Sequence, residues 1–304
     1  MLRERLISAF VFVSTALIFV YLDLNVNFGC PGFWMVLFGM GLVLGSAHEC
    51  AKMAHDKEMQ RVYWPAILGC VGVLVASIVP VYWPLSGEAY PADCMLGGLG
   101  WPLAAAPLAL LGCFVWQMPK YQANSGQLIH AILAGWIAVY FGTCFSFAVA
   151  LRLTGPPAWG LYLIVGVIVV TKFADAGAYF AGRSLGRTKL CPAVSPGKTV
   201  EGLVGGMIVS SIAAWIYFGV AAPQAFPDLT VTVRPVGIIA LGVLLTIAGV
   251  LGDLLESVFK REMGCKDSSR LLPGLGGLWD VTDSLLPAFV VAYLIVVAEL
   301  ISVG

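Results

Sequence analysis

The chain has 304 residues, 60% of them hydrophobic and only 11% charged, with 17 basic and 17 acidic side chains. Soluble domains carry about 25% charged residues, so this composition excludes one and describes a protein that crosses the bilayer many times. The charges are segregated by loop and make no basic face, so no nucleic-acid partner is expected; the eight cysteines stand singly without a CxxC and read as small hydrophobes rather than a disulfide or zinc framework.

A hydrocarbon core of about 30 Å needs about 20 apolar residues per helix. In chain order such runs cover 6–24, 32–51, 63–84, 96–118, 128–150, 157–180, 202–221, 235–258 and 283–303. The first follows Arg3 and Arg5 and ends in YLDLN without a small-x-small site, which predicts an uncleaved span rather than a signal peptide. Asp23 at its end, and His48 with Glu49 at the end of the second, read as interfacial residues. The fourth run is interrupted by Pro102 and Pro107, and His130 opens the fifth as a capping or surface histidine. The expected fold class is all-α, a polytopic membrane protein of about nine helices whose C-terminal half forms a polar cavity. Residues 1–156 make an N-terminal region of five helices and 157–304 a catalytic region of four helices with two loops.

With a cytoplasmic N-terminus, fourteen of the 17 Lys and Arg fall on the cytoplasmic side, Arg152 and Arg234 fall outside, and Lys172 lies within a span. That asymmetry fits the positive-inside rule. It places loops 181–201 and 259–282 on one cytoplasmic side, open to nucleotides and to inner-leaflet head groups.

Ionisable residues inside spans are costly and point to function. Lys172 and Asp175, three residues apart, form either a self-satisfied pair or part of a site. Asp253, Glu256, Ser257 and Lys260 recur at helical spacing on one face. The two acids are neutralised either by Lys260 and Arg261 or by a divalent metal on carboxylate oxygens.

The loop AGRSLGRTKLCPAVSPGKTVEG opens the seventh span. Ser195 is expected to cap that helix, its amides joining Lys198 and Thr199 in an anion site; a basic loop that only sets topology or touches anionic lipid is the other reading. The GKT is not a P-loop, because Pro192 stands where the first glycine is required. In the second loop Lys260, Arg261, Lys266 and Arg270 alternate with Asp267, Asp280 and Asp283 around PGLGG. Gly274, Gly276 and Gly277 allow backbone close to a ligand, and Asp280 and Asp283, at i and i+3, are expected to aim the same way. Acids for metal beside cations for phosphate suit nucleotidyl or phosphoryl transfer. Neither loop has a histidine and there is no plausible Cys/His pair, which argues against covalent nucleophilic chemistry.

The run SVFKREMGCKDSSRLLPGLGGLWDVTD (257–283) resembles the signature of the phosphatidate cytidylyltransferase, or CDP-diacylglycerol synthase, family, S-x-x-K-R-x4-K-D-x5-P-x-H-G-G-x-x-D-R-x-D. Ser257, Lys260, Arg261, Lys266, Asp267, Pro273, Gly276, Gly277, Asp280 and Asp283 fall in register, while Leu275 and Val281 replace the family's histidine and arginine. DAGAYFAGRSLGRTKL, SPGKTVEG and GDLLESVFKR are also similar to family segments, so the resemblance covers roughly 170–290. It implies transfer of CMP from CTP to phosphatidic acid with Mg²⁺, a second cation being left open, in a homodimer of the cell (inner) membrane. By the same resemblance Asp253, Asp280, Lys260 and Arg261 are catalytic, and Asp253, Asp280, Asp283 and Glu256 hold metal. Lys198, Ser195, Thr199, Lys266, Asp267, Gly276, Gly277 and Asp175 contact substrate. The alternatives are a related cytidylyltransferase or CTP-dependent kinase acting on another lipid, or a transporter using the intramembrane charges, although no inverted repeat is visible. A CDP-alcohol phosphotransferase would need a DGxxAR stretch, which is missing.

Overall fold

The computed structural model describes residues 2–57, 59–122, 126–269 and 271–303; Arg270, counted above among the loop cations, lies outside them. The helices are α1 (Leu2–Asn25), α2 (Phe33–Asp56), α3 (Tyr63–Tyr82), α4 (Gly97–Gln117), α5 (Gln127–Arg152), α6 (Pro157–Leu185), α7 (Val200–Ala214), α8 (Ala222–Ala225), α9 (Pro235–Met263), α10 (Trp279–Thr282) and α11 (Leu285–Val297). Among the described residues nine helical stretches are long and apolar enough to cross a membrane, and each expected run falls on one of them. The architecture is all-α, with two small antiparallel ladders: β1 (Lys189–Cys191) on β2 (Ser195–Thr199), and β3 (Val231–Val233) on β4 (Ile301–Val303).

Three runs depart in detail from the sequence pattern. Pro102 and Pro107 stay inside one continuous α4, since a membrane helix tolerates proline where neighbours satisfy the freed backbone. The seventh span passes from α7 through a π-helical stretch at Trp215–Ala221 into α8. The last run is not one helix from 283 to 303. It starts at Trp279, breaks at Asp283 and Ser284, resumes to Val297, and ends in β4. The β-branched residues Ile301 and Val303 suit the strand that pairs with Val233 and Val231.

The chain divides into two compact units, Met1–Leu153 with Glu262–Thr282, and Thr154–Arg261 with Asp283–Gly304. In the first, helices meet through small residues. A Cβ at Gly142 would lie 2.6 Å from Val73, and one at Gly69 would lie 2.9 Å from Ala138. Because lipid is as apolar as the side chains, such close contact, rather than water exclusion, holds membrane helices together. Asp23, expected at an interface, is instead buried in an ion pair with Arg152, their side chains 0% and 3% exposed. Its Oδ1 also accepts the N–H groups of Trp34 at 3.1 Å and Met35 at 3.3 Å. These are orphan donors of α2, whose own N-cap, Gly32, has no side chain to offer.

In the second unit α6 and α7 pack through Gly177, Gly182, Gly202, Gly205 and Gly206, each too close to its neighbours for an added Cβ to fit without movement. The Ser210 hydroxyl reaches the carbonyl of Gly242 at 2.9 Å and the Thr246 hydroxyl at 2.8 Å, joining α7 to α9. Tyr162 and Tyr217 stack at 4.3 Å, and each hydroxyl donates to the other's carbonyl oxygen, which ties α6 to the π-helical stretch.

Candidate functional site

In the second unit, α9 presents Asp253, Glu256 and Lys260 on one face, as the helical spacing requires. Asp283 reaches the same place from the break before α11, because Gly252 lets the chain touch α9. A Cβ at Gly252 would lie 2.1 Å from the Asp283 carbonyl oxygen. Asp253, Glu256 and Asp283 each bring a carboxylate oxygen within 4.8 Å of the others, and Glu256 and Asp283 are 2% and 7% exposed. Three acids so close repel unless cations join them. Lys198 supplies one, its ammonium 2.7 Å from Asp253 Oδ2 and 3.2 Å from the carbonyl of Val250. Lys260 supplies a second, 3.1 Å from Glu256 Oε2. Lys172 pairs with half-exposed Asp175 at 3.2 Å and also donates to Ser284 Oγ, beside Asp283, at 3.1 Å.

The donor set fits a hard divalent ion. Octahedral Mg²⁺ bound at about 2.1 Å separates adjacent oxygens by about 3 Å and opposite ones by about 4.2 Å. The three carboxylate oxygens, within 4.8 Å of one another, lie close to that spacing.

The loop before α7 corrects one expectation. Ser195 does not cap the helix, because residues Ser195–Thr199 are extended and pair with β1. Thr199 is the cap, its hydroxyl accepting the N–H of Gly202 at 3.1 Å. Lys198, one residue earlier on β2, is thereby presented to Asp253. Arg261, Lys266 and Asp267 are exposed.

The glycine loop belongs to the first unit. Asp280 Oδ2 accepts from the Gly277 N–H at 2.7 Å and from the N–H and hydroxyl of Ser268 at 3.2 and 2.5 Å. The group of three carboxylates found among the described residues does not include it. The i, i+3 argument for Asp280 and Asp283 fails because α10 ends at Thr282 and Asp283 lies in a turn. Gly276 and Gly277 wrap these acids tightly: Gly276 has φ +97°, with an added Cβ 2.6 Å from Asp280 Oδ2, and one at Gly277 would lie 2.3 Å from Glu49 Oε2. Glu49, expected to be interfacial, is 5% exposed. Its carboxylate accepts from the hydroxyls of Ser268 and Ser269 and the N–H groups of Leu278 and Trp279, at 2.6–3.0 Å. Nothing in the local pattern HEC pointed to this role.

The profile of the cytidylyltransferase family matches residues 3–298. The chain is 46% identical over 135 residues to the phosphatidate cytidylyltransferase of Haemophilus influenzae, covering 44% of this chain and 46% of that one. It is 39% identical over 165 residues to the protein of the same name from Bacillus subtilis, covering 54% and 57%. It spans about half the length of these two relatives. With the phosphatidate cytidylyltransferase of Staphylococcus saprophyticus the identity is 42% over 255 residues, 84% of this chain and 86% of the relative. A profile match over nearly every residue and a relative matched along most of its length lead to one conclusion: the chain belongs to the cytidylyltransferase family.

Proposed function

We propose that the protein transfers CMP from CTP to phosphatidic acid, giving CDP-diacylglycerol and pyrophosphate, at a cytoplasm-facing site in the cell (inner) membrane. The observation that carries this reading is the buried group of Asp253, Glu256 and Asp283 interleaved with Lys198 and Lys260, in a chain whose relatives bear the name phosphatidate cytidylyltransferase.

The phosphatidate phosphate is already ionised at neutral pH, so its oxygen attacks the α-phosphorus of CTP without a strong general base. A phosphorus–oxygen bond forms there, the bond to the bridging oxygen breaks, and its electrons leave with pyrophosphate. Such a reaction needs in-line positioning and charge neutralisation more than covalent help. Asp253, Glu256 and Asp283 would hold Mg²⁺, which when bound neutralises charge on the transferring and leaving phosphates. Lys198 and Lys260 bring ammonium donors to phosphate oxygens at the same place, and the first-turn amides of α7 after Thr199 add a partial positive charge. Exposed Arg261 and Lys266 gather the anionic nucleotide and head group. By the family resemblance Asp280 also takes part in the transfer, held in its own loop with Gly276 and Gly277. The proposed assembly is a homodimer, read by light scattering of the purified protein in detergent.

The test supplies the full chain, in lipid nanodiscs, with labelled CTP, phosphatidate and Mg²⁺. Labelled CDP-diacylglycerol forms, is lost on chelation and returns with Mg²⁺. No product, while a control enzyme works in the same nanodiscs, refutes the reading. Turnover with another lipid phosphate or a polyprenol, but not with phosphatidate, transfers the activity to that substrate.

A further inference from the structure

Glu49 lies near the end of α2, 219 residues before Ser268, yet it holds both ends of the glycine loop. Oε1 accepts from Ser269 Oγ at 2.6 Å and from the Leu278 N–H at 3.0 Å; Oε2 accepts from Ser268 Oγ at 2.9 Å and from the Trp279 N–H at 3.0 Å. The amides belong to the start of α10, which Glu49 caps from another helix. Trp279 behind them is fully buried and meets Phe141 edge-on at 5.5 Å, so the capped turn rests on the core.

Ser268 links this carboxylate to a second. Its Oγ lies 2.9 Å from Glu49 Oε2 and 2.5 Å from Asp280 Oδ2. A hydroxyl carries one hydrogen, so the two acids compete for one donor, and what fixes Glu49 and Ser268 also fixes Asp280. The space left for chain between them is that of glycine. A Cβ at Gly277 would stand 2.1 Å from Ser268 Oγ as well as 2.3 Å from Glu49 Oε2.

We infer that Glu49 is a positioning residue for the proposed transfer, acting through Ser268 and the 278–279 amides to hold Asp280 and the Gly276–Gly277 turn in register. The inference rests on the function proposed above for Asp280's part in the reaction. Its carrying observation, one buried carboxylate with four donors from the loop, is independent of that reading.

The experiment compares wild type, Glu49→Gln and Glu49→Asp as full chains in nanodiscs. The glutamine keeps the size of the side chain but turns an NH₂ toward hydrogen-bond donors. Its kcat falls by about tenfold or more, while KM for CTP stays within about twofold. Glu49→Asp, which keeps the carboxylate, recovers part of kcat. Hydrogen exchange gives a readout that needs no turnover: the amides of 276–280 exchange about tenfold faster in Glu49→Gln, whereas peptides from α3 and α5 are unchanged. Full kcat in Glu49→Gln overturns the inference. So does an equal loss in both variants with faster exchange throughout α3 and α5, which would make Glu49 a folding residue only. If the wild type forms no CDP-diacylglycerol, the proposed function fails, and exchange alone decides: faster exchange confined to 276–280 upholds Glu49 as the residue that holds the turn, and unchanged exchange refutes it.

Discussion

Gly252→Ala tests whether the approach of α9 to the break in the last span sets the carboxylate group. The added methyl carbon would stand 2.1 Å from the carbonyl oxygen of Asp283 and 2.9 Å from Pro287 Cγ. A carbon–oxygen contact settles at about 3.3 Å, so the break must retreat from α9 by about 1.2 Å. Its nearest atom is backbone and cannot rotate away. Overpacking of this kind costs about 1–3 kcal/mol, a loss of a few degrees in the thermal midpoint. Activity suffers more, because Asp283 moves with the break while Asp253 and Glu256 stay on α9, opening a group whose oxygens lie within 4.8 Å. A misplacement of about 1 Å at a reacting centre costs on the order of a hundredfold. The assay is CMP transfer in nanodiscs over a range of Mg²⁺. kcat/KM should fall by about a hundredfold, and half-maximal activity should need more Mg²⁺. Gly249→Ala is the control, since its Cβ would meet nothing nearer than Ser284 Cβ at 3.4 Å, an ordinary contact. Wild-type rate and Mg²⁺ dependence in Gly252→Ala would refute the reasoning.

Asp23→Ala removes the carboxylate paired with the buried guanidinium of Arg152 and the acceptor of two α2 amides, at a cost of about 3–5 kcal/mol; an unfolding midpoint in detergent equal to that of wild type would show that the pair contributes nothing. Lys198→Ala should raise KM for CTP by about tenfold with little change in stability, because the ion pair with half-exposed Asp253 is screened by solvent; an unchanged KM removes Lys198 from the substrate. In single-cysteine variants, an impermeant maleimide should reach Cys94 in sealed cells and Cys265 only after permeabilisation, and the reverse would overturn the orientation. The Tyr90 hydroxyl donates to Cys94 Sγ and holds that thiol below its usual range. Thiolate at Cys94 therefore persists to lower pH, and Tyr90→Phe should shift its labelling curve upward in pH.

What could be read from the sequence followed from periodicities of one helix. Apolar run length located the spans, and spacing put Asp253, Glu256 and Lys260 on one face of α9, where the structure has them. Reading failed where the chain left the helix. Asp280 and Asp283 look like a helical pair until α10 ends at Thr282. Ser195 looks like a cap until the residues after it extend into β2 and pass the role to Thr199. It failed again where the partner is remote. Asp23 and Glu49 resembled interfacial acids because their donors, Arg152 and the 268–279 loop, lie 129 and more than 200 residues away. An acid at a span end is cheap at an interface and costly in a core. Only the folded arrangement tells the two apart.

The Asp23–Arg152 pair also carries information about threading. Asp23 ends α1 and Arg152 ends α5, with α2, α3, α4 and α5 passed between them. Four crossings return the chain to the face it started from, so the two charges meet only when the number of crossings is even. A chain that skipped one of these helices during insertion would leave an aspartate and an arginine on opposite faces, each without its counter-ion, in a state several kcal/mol worse. The pair thus acts as a parity check on the stretch from α2 to α5, favouring the correctly threaded protein over forms that skip one of those four crossings.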